Sequence, residues 1–102
     1  MKINHWGRAR QFIREHREAE LPLRTWKRIL VEAKWRNFPD VKSTFNNADW
    51  YEGAIIFDIA GNNIRLVAIC RFDLGRLYID KVMTHPEYDK GVWKKRYQGK
   101  RR

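Results

Sequence analysis

The greatest concentration of reactive side chains lies in Val82-Met83-Thr84-His85-Pro86-Glu87-Tyr88-Asp89-Lys90. Histidine is the side chain suited to giving or taking a proton near neutral pH, and Tyr88 and Asp89 follow His85 three and four residues later, close enough to share a surface if the segment makes a helical turn. Such a cluster suits acid-base chemistry. The same stretch also reads as a capped turn, in which Thr84 or His85 satisfies backbone groups before Pro86 opens a short helix.

Cations stand upstream of this cluster. Arg65 and Arg71 bracket Val67 and Ile69 on one alternation of an apolar run, and Lys81 lies on the next run. A three-residue loop at Asp73-Leu74-Gly75 would pair Phe72 with Arg76, set Arg65 opposite Met83, and put Lys81 opposite Val67, diagonal to Arg65 on the same face. A one-residue slip would send Lys81 to the other face. Two cations beside a histidine and a tyrosine match what metal-free cleavage of an RNA phosphodiester requires: a base for the ribose 2'-hydroxyl, positive charge for the phosphorane, and an acid for the leaving oxygen. Acid-base catalysis supplies roughly 10²- to 10⁴-fold, and preorganised cations a similar or larger factor. Arg65 and Lys81 read equally well as ordinary strand-end charges.

The elements that must position these groups follow from periodicity. Trp6, Ala9, Phe12, Ile13 and His16 recur at helical spacing with Arg8, Arg10, Arg14 and Arg17 between them. A second amphipathic helix begins near Leu21-Pro22 and carries Leu23, Trp26, Ile29, Leu30 and Ala33 on one face and Arg24, Lys27, Arg28 and Lys34 on the other. Joined by a short link, the two form a helical hairpin over a shared core. At Phe38-Pro39-Asp40 proline stops continuation, and Asp40 is placed to cap a short turn over 41–45, followed by a polar connector over 46–49. From Gly53 the pattern becomes β-rich: 54–59, a Gly61-Asn62-Asn63 turn, 64–72, an Asp73-Leu74-Gly75 turn, and 76–83. This reads as a three-stranded antiparallel meander with 64–72 central, one face against the helices.

Composition bounds the rest. The 102 residues suit one small domain, and 43% hydrophobic with 14% aromatic content is too apolar for a disordered chain. Cys70, the single cysteine, sits in an apolar run as a small core residue and asks for no oxidising compartment. No stretch approaches the roughly 20 apolar residues that span a bilayer, and Met1 to Trp6 holds no apolar leader core, so a cytoplasmic protein without membrane attachment is expected. The net charge of +10 favours a polyanionic partner, either nucleic acid or an acidic protein. It is unevenly spread: residues 1–36 sum to +6, 37–89 to −3, and 90–102 to +7. These basic regions also read as solvated faces that aid solubility.

Other chemistries lack their residues. The three histidines are scattered and no HExxH or CxxC pattern occurs, so no metal site is expected. No glycine-rich phosphate loop precedes a helix, and no cofactor is implied. His16 reads as a packed or boundary histidine. The tail of about 93–102, from Trp93 to Arg102, interleaves aromatics with cations, a mixture used for base stacking and phosphate neutralisation, although Trp93 and Tyr97 fit packing equally and Lys100 to Arg102 fit a frayed end better.

Gly61-Asn62-Asn63-Ile64-Arg65-Leu66-Val67-Ala68, then Leu77-Tyr78-Ile79, then Val82 through Lys90, resemble in order the signature of HigB toxins, within the RelE-like superfamily. The resemblance extends along nearly the whole chain and is specific from about residue 53 onward. It implies an α+β, RelE-like fold with two N-terminal helices packed on a small antiparallel β-sheet, and messenger-RNA endonuclease activity, typically on translating ribosomes. It also implies a HigA-like helix-turn-helix antitoxin, with operator DNA bound only through the complex. Arg65 resembles the superfamily's sheet arginine, and His85, Tyr88 and Asp89 fall in its acid-base region; Lys81 departs from the pattern, since relatives often carry arginine on the last strand, the better bidentate phosphate clamp.

The expectation is therefore a metal-independent ribonuclease in which Arg65 and Lys81 stabilise phosphate, His85 and Tyr88 move protons and Asp89 orients one of them, with Arg71, Lys90, Lys94, Lys95 and Arg96 binding RNA. The alternative is a non-catalytic RNA- or ribosome-binding regulator using the same basic surface. A third reading is an interaction module for an acidic protein.

Overall fold

The computed structural model describes residues 1–61 and 63–98, so the middle of the expected Gly61-Asn62-Asn63 turn and the expected frayed end over 100–102 lie outside the described residues. In chain order the elements are β1 (Lys2–Asn4), α1 (Trp6–Glu15), α2 (Glu20–Glu32), α3 (Phe38–Thr44), β2 (Asp49–Tyr51), β3 (Ala54–Ile59), β4 (Ile64–Arg71), β5 (Arg76–Thr84), α4 (His85–Lys90) and α5 (Lys95–Gln98), with single 3-10 turns at Arg17–Ala19 and Val92–Lys94. The chain is α+β. The strands form one five-stranded sheet in the order β1-β5-β4-β3-β2.

The expected three-stranded antiparallel meander is thus the middle of a larger, mixed sheet. β1 adds in parallel to β5 through Lys2–Arg76, Ile3–Leu77 and Asn4–Tyr78, while β2 folds back on β3. Three-residue strands leave too little periodicity to read from sequence, and they exist because longer strands offer them a ladder edge. Glu52 and Gly53, both at positive φ, make the two-residue turn between the Tyr51–Ala54 pair, the backbone twist that tight hairpins favour.

One sheet face meets the two long helices. Ala9, Phe12 and Ile13 of α1 and Leu23, Trp26 and Leu30 of α2 bury with Ile55, Phe57, Leu66, Leu77, Ile79 and Val82. The expected apolar stripe on α2 is narrower than read, since Ile29 is 39% exposed. His16 is indeed a boundary residue, stacked on Phe12 at 4.3 Å. Near 38–45 the reading needs correction. The helix starts at Phe38 rather than after Asp40, Asn37 is its cap, accepting from the Asp40 amide at 3.0 Å, and Pro39 opens the helix rather than stopping one. Proline suits a first turn because its missing N–H has no helical partner there.

The opposite face is not open. Ala54, Ile56, Val67 and Met83 are covered by Trp93 and Tyr97 of the C-terminal segment. This explains why β4 is apolar on both alternations: it is buried on both faces.

β4 and β5 pair through Arg71–Arg76, not Phe72–Arg76, so the connecting loop is one residue longer than expected; a bulge at Asp80 then restores the anticipated pairs Val67–Lys81 and Arg65–Met83. Without that extra residue Ile79 and Val82, an odd three apart, could not both enter the helix-side core.

Candidate active site

Strand β4 delivers Arg65 to the face opposite the long helices, directly across from Asp58 on β3. Their side chains meet, with Arg65 Nε 3.0 Å from Asp58 Oδ1 and only 10% of the arginine side chain exposed. The Arg65 guanidinium carbon lies 5.1 Å from the centre of the Tyr88 ring, a cation-π contact. Tyr88 also stacks on Trp93, with centroids 5.3 Å apart and planes 17° from parallel. Trp93 is in turn fixed by a bond from its Nε1 to the Tyr88 carbonyl at 3.1 Å. The phenol is therefore packed against both a buried cation and an indole plate.

Helix α4 follows β5 with no linker, and its start explains how both sequence readings of this stretch hold together. Thr84 is the N-cap, accepting from the Glu87 amide while Glu87 Oε1 accepts from the Thr84 amide, a reciprocal capping box. Because Thr84 does the capping, His85 is released for other work. The His85 amide donates to the Asn63 carbonyl at 3.1 Å, which ties the helix start to the β3–β4 turn. Gly91, with φ 73°, ends the helix in a left-handed conformation that glycine adopts without strain.

Within the turn His85 Nδ1 lies 2.9 Å from Asp89 Oδ2, at i,i+4 spacing. A carboxylate on Nδ1 fixes the neutral tautomer with its proton on that nitrogen and leaves Nε2 as the basic atom. His85 and Asp89 are exposed at 42% and 59% of their side chains, accessible to a large substrate. Tyr88 is half-covered, and burial, followed by the nearby Asp49 charge, raises its pKa above the ordinary 10.0 against an opposing pull from Arg65. It is a neutral phenol, a proton source, throughout the physiological range.

The structure brings Arg65, His85, Tyr88 and Asp89 to one end of the sheet. Lys81 has the predicted register, but it is exposed and lines a groove with Gln11, Phe12 and Glu15 beside α1. Arg71 is at the far end of β4, bound to Asp73 through two nitrogens. Lys90 is exposed on α4, Lys94 lies 5.1 Å over the Tyr51 ring, Lys95 is exposed, and Arg96 pairs with Asp80. Three contributors were missed from sequence: Asp58, Trp93 as the plate for Tyr88, and Asp80, which also accepts from Tyr97 and pairs with Arg8. A carboxylate inside the apolar run 54–59 was the available signal for Asp58. Among the described residues no group of three or more His, Cys, Asp or Glu could hold a metal ion. None of their helices is long and apolar enough to cross a membrane.

The model of one protein family, HigB_toxin, described as the RelE-like toxic component of a toxin-antitoxin system, matches residues 19–91. The chain belongs to the HigB toxin family. The match takes in Arg65, Lys81, His85, Tyr88 and Asp89, and ends before Trp93. An mRNA interferase HigB of Escherichia coli O6:H1 (strain CFT073) is 27% identical over 84 residues, which cover 76% of this chain and 78% of that protein. The mRNA interferase toxin HigB of Escherichia coli K12 and the mRNA interferase HigB of Shigella flexneri are each 37% identical over 46 residues, 45% of this chain and 44% of theirs. As a HigB toxin it is the toxic half of a toxin-antitoxin pair, so an antitoxin is its partner.

Proposed function

We propose that this HigB toxin is an endoribonuclease that cuts messenger RNA at the His85-Tyr88 centre. The reading rests above all on one observation: a histidine oriented by Asp89 stands on the same helical turn as a neutral tyrosine packed against Arg65 and Trp93. In the cleavage step His85 Nε2 takes the proton of a ribose 2'-hydroxyl, whose oxygen attacks the adjacent phosphorus. The bond from phosphorus to the 5'-oxygen breaks, and Tyr88 delivers its proton to that oxygen. The products are a 2',3'-cyclic phosphate and a 5'-hydroxyl end. Atoms and charge balance without a metal, and the tyrosinate is reprotonated from solvent.

Arg65 acts here mainly as a positioning residue. Nine-tenths buried and paired with Asp58, it holds the Tyr88 ring and supplies positive charge beneath the developing phosphorane. Lys81 lies outside this cluster, in the groove beside α1, and adds positive charge on the approach to the centre. Lys90 at the end of α4, and Lys94, Lys95 and Arg96 beyond it, bind flanking phosphates, with Arg71 further along the sheet. The functional unit is one toxin domain over residues 1–102 that acts in the cytoplasm on translating ribosomes. A HigA-like helix-turn-helix antitoxin restrains it and carries the complex to operator DNA.

The test is cleavage of a defined messenger RNA by antitoxin-free protein, with and without translating ribosomes and with EDTA in the ribosome-free lanes. His85→Ala and Tyr88→Phe should each lower the rate by roughly 10²- to 10⁴-fold while RNA affinity changes little, and the cut ends should carry cyclic phosphate. Wild-type protein that binds RNA or ribosomes yet leaves every transcript intact would return the chain to the non-catalytic binding reading.

A further inference from the structure

The cleavage centre occupies one end of the sheet face covered by the C-terminal segment, and the other end of that face holds a second concavity of about 380 Å³. Its lining includes Arg8 from α1, Arg71 from β4, Arg96 from α5, and the His5 and Tyr78 rings. It belongs to no part of the centre described above. Arg65 and Arg71 lie on the same face six residues apart, a separation of about 20 Å along the strand.

Three observations suit it to nucleic acid. The three arginine side chains are 48%, 54% and 64% exposed, and each is held through only part of its guanidinium: Arg8 and Arg96 through Nη1, Arg71 through Nε and Nη2. Their remaining nitrogens are donors for a phosphate. The His5 and Tyr78 rings lie 5.9 Å apart at 45° and form an aromatic wall of the kind on which bases stack. Finally, the ladder sets Lys2 beside Arg76 and Arg76 opposite Arg71, so three cations stand in a row across β1, β5 and β4. Like charges directly opposite one another destabilise a sheet, and a bound polyanion relieves that cost. Asp73 and Asp80 offset only part of this charge. His5 adds a backbone outlier at the rim, a non-glycine residue at φ 68°.

We infer that this concavity is a second nucleotide subsite, holding single-stranded RNA away from the scissile bond with phosphate on Arg71 and Arg96 and a base against Tyr78. The inference rests on the ribonuclease reading, since it gives the strand cut at His85 a continuation across the exposed Lys95 and Arg96 of α5. The bound strand is either the message itself or ribosomal RNA.

The experiment uses full-length His85→Ala protein and fluorescein-labelled oligoribonucleotides of 4 and 12 nucleotides. The double variant Arg71→Gln/Arg96→Gln should weaken the 12-mer at least tenfold and lower its log-log salt slope by about 1.4, the value for two lost single-strand phosphate contacts, with the 4-mer unchanged. Tyr78→Leu should weaken the 12-mer about fivefold or more with the slope preserved. Arg17→Gln/Arg24→Gln, of equal charge loss on the helical side, should have no such effect. Circular dichroism and melting curves establish that each variant is folded. A 12-mer affinity within twofold of the parent in the first double variant overturns the inference. So does equal weakening of both oligonucleotides, or equal weakening by the helical-side control. With His85 restored, slower cutting of free and ribosome-bound transcripts alike identifies the message as occupant, and slowing on ribosomes alone identifies ribosomal RNA. Failure of the wild-type protein to bind or cut any RNA would instead sink the ribonuclease reading.

Discussion

Removing the Asp58 carboxylate is the sharpest perturbation of the centre, because it alters no proton-transfer group. Arg65 is 10% exposed at its side chain and Asp58 23%, with Nε and Oδ1 3.0 Å apart. Charge centres about 4 Å apart attract by about 4 kcal/mol at an effective dielectric near 20. Breaking a buried pair by deleting one member costs about 3–5 kcal/mol, because the remaining charge stays desolvated. Water reaches part of the Asp58 site, so Asp58→Ala should destabilise the fold by about 2–3 kcal/mol, measured by urea denaturation of antitoxin-free protein. The released guanidinium no longer pins the Tyr88 ring. Cleavage should then fall about tenfold or more, in kcat rather than KM, since a misplaced acid weakens the transition state and not the encounter. The cycle through Arg65→Gln and the double variant should return a coupling energy above about 1 kcal/mol. A stability loss below about 0.5 kcal/mol, or a coupling near zero, would refute the claim that this pair organises the centre.

Other outcomes follow from the same geometry. Asp80→Ala removes the group shared by Arg8, Arg96 and Tyr97, and should cost about 2 kcal/mol. Hydrogen exchange should show residues 93–98 losing protection before the sheet, whereas uniform loss would contradict the assigned role. Tyr88 and Tyr97 both titrate above 10.0 in the folded protein, each chiefly through burial. Their stabilising contribution is thus complete below the unfolded value and lost as pH rises from there through the folded values. The melting temperature should decline above pH 10, and less steeply in Tyr97→Phe; identical alkaline slopes would oppose this. Burial pushes the Cys70 thiol up to about 11 from its ordinary 9.0. Alkylation by iodoacetamide at pH 8 should therefore run roughly a hundredfold slower in folded than in urea-unfolded protein, and equal rates would contradict its burial.

The amino-acid sequence by itself determined the elements whose periodicity is long enough to carry a signal. The stripe from Trp6 to Ile13, the β-rich apolar runs between 54 and 83 and the Thr84-Pro86-Glu87 start of α4 each specify local structure through contacts within a few residues. The proximity of His85 and Asp89 was legible for the same reason, because a single helical turn brings them together and carries Tyr88 with them. Tertiary structure alone decided what depends on distant chain segments: the parallel addition of β1, the closure of the second sheet face by Trp93 and Tyr97, and the placement of Asp58 beneath Tyr88 through Arg65. The β4–β5 register shows the division most clearly. A loop one residue longer than expected and a bulge at Asp80 cancel, so Arg65 still faces Met83. Neither change is visible locally, because a strand's two-residue period specifies which face a side chain occupies only after its partner strand and the core have chosen where the extra residue goes.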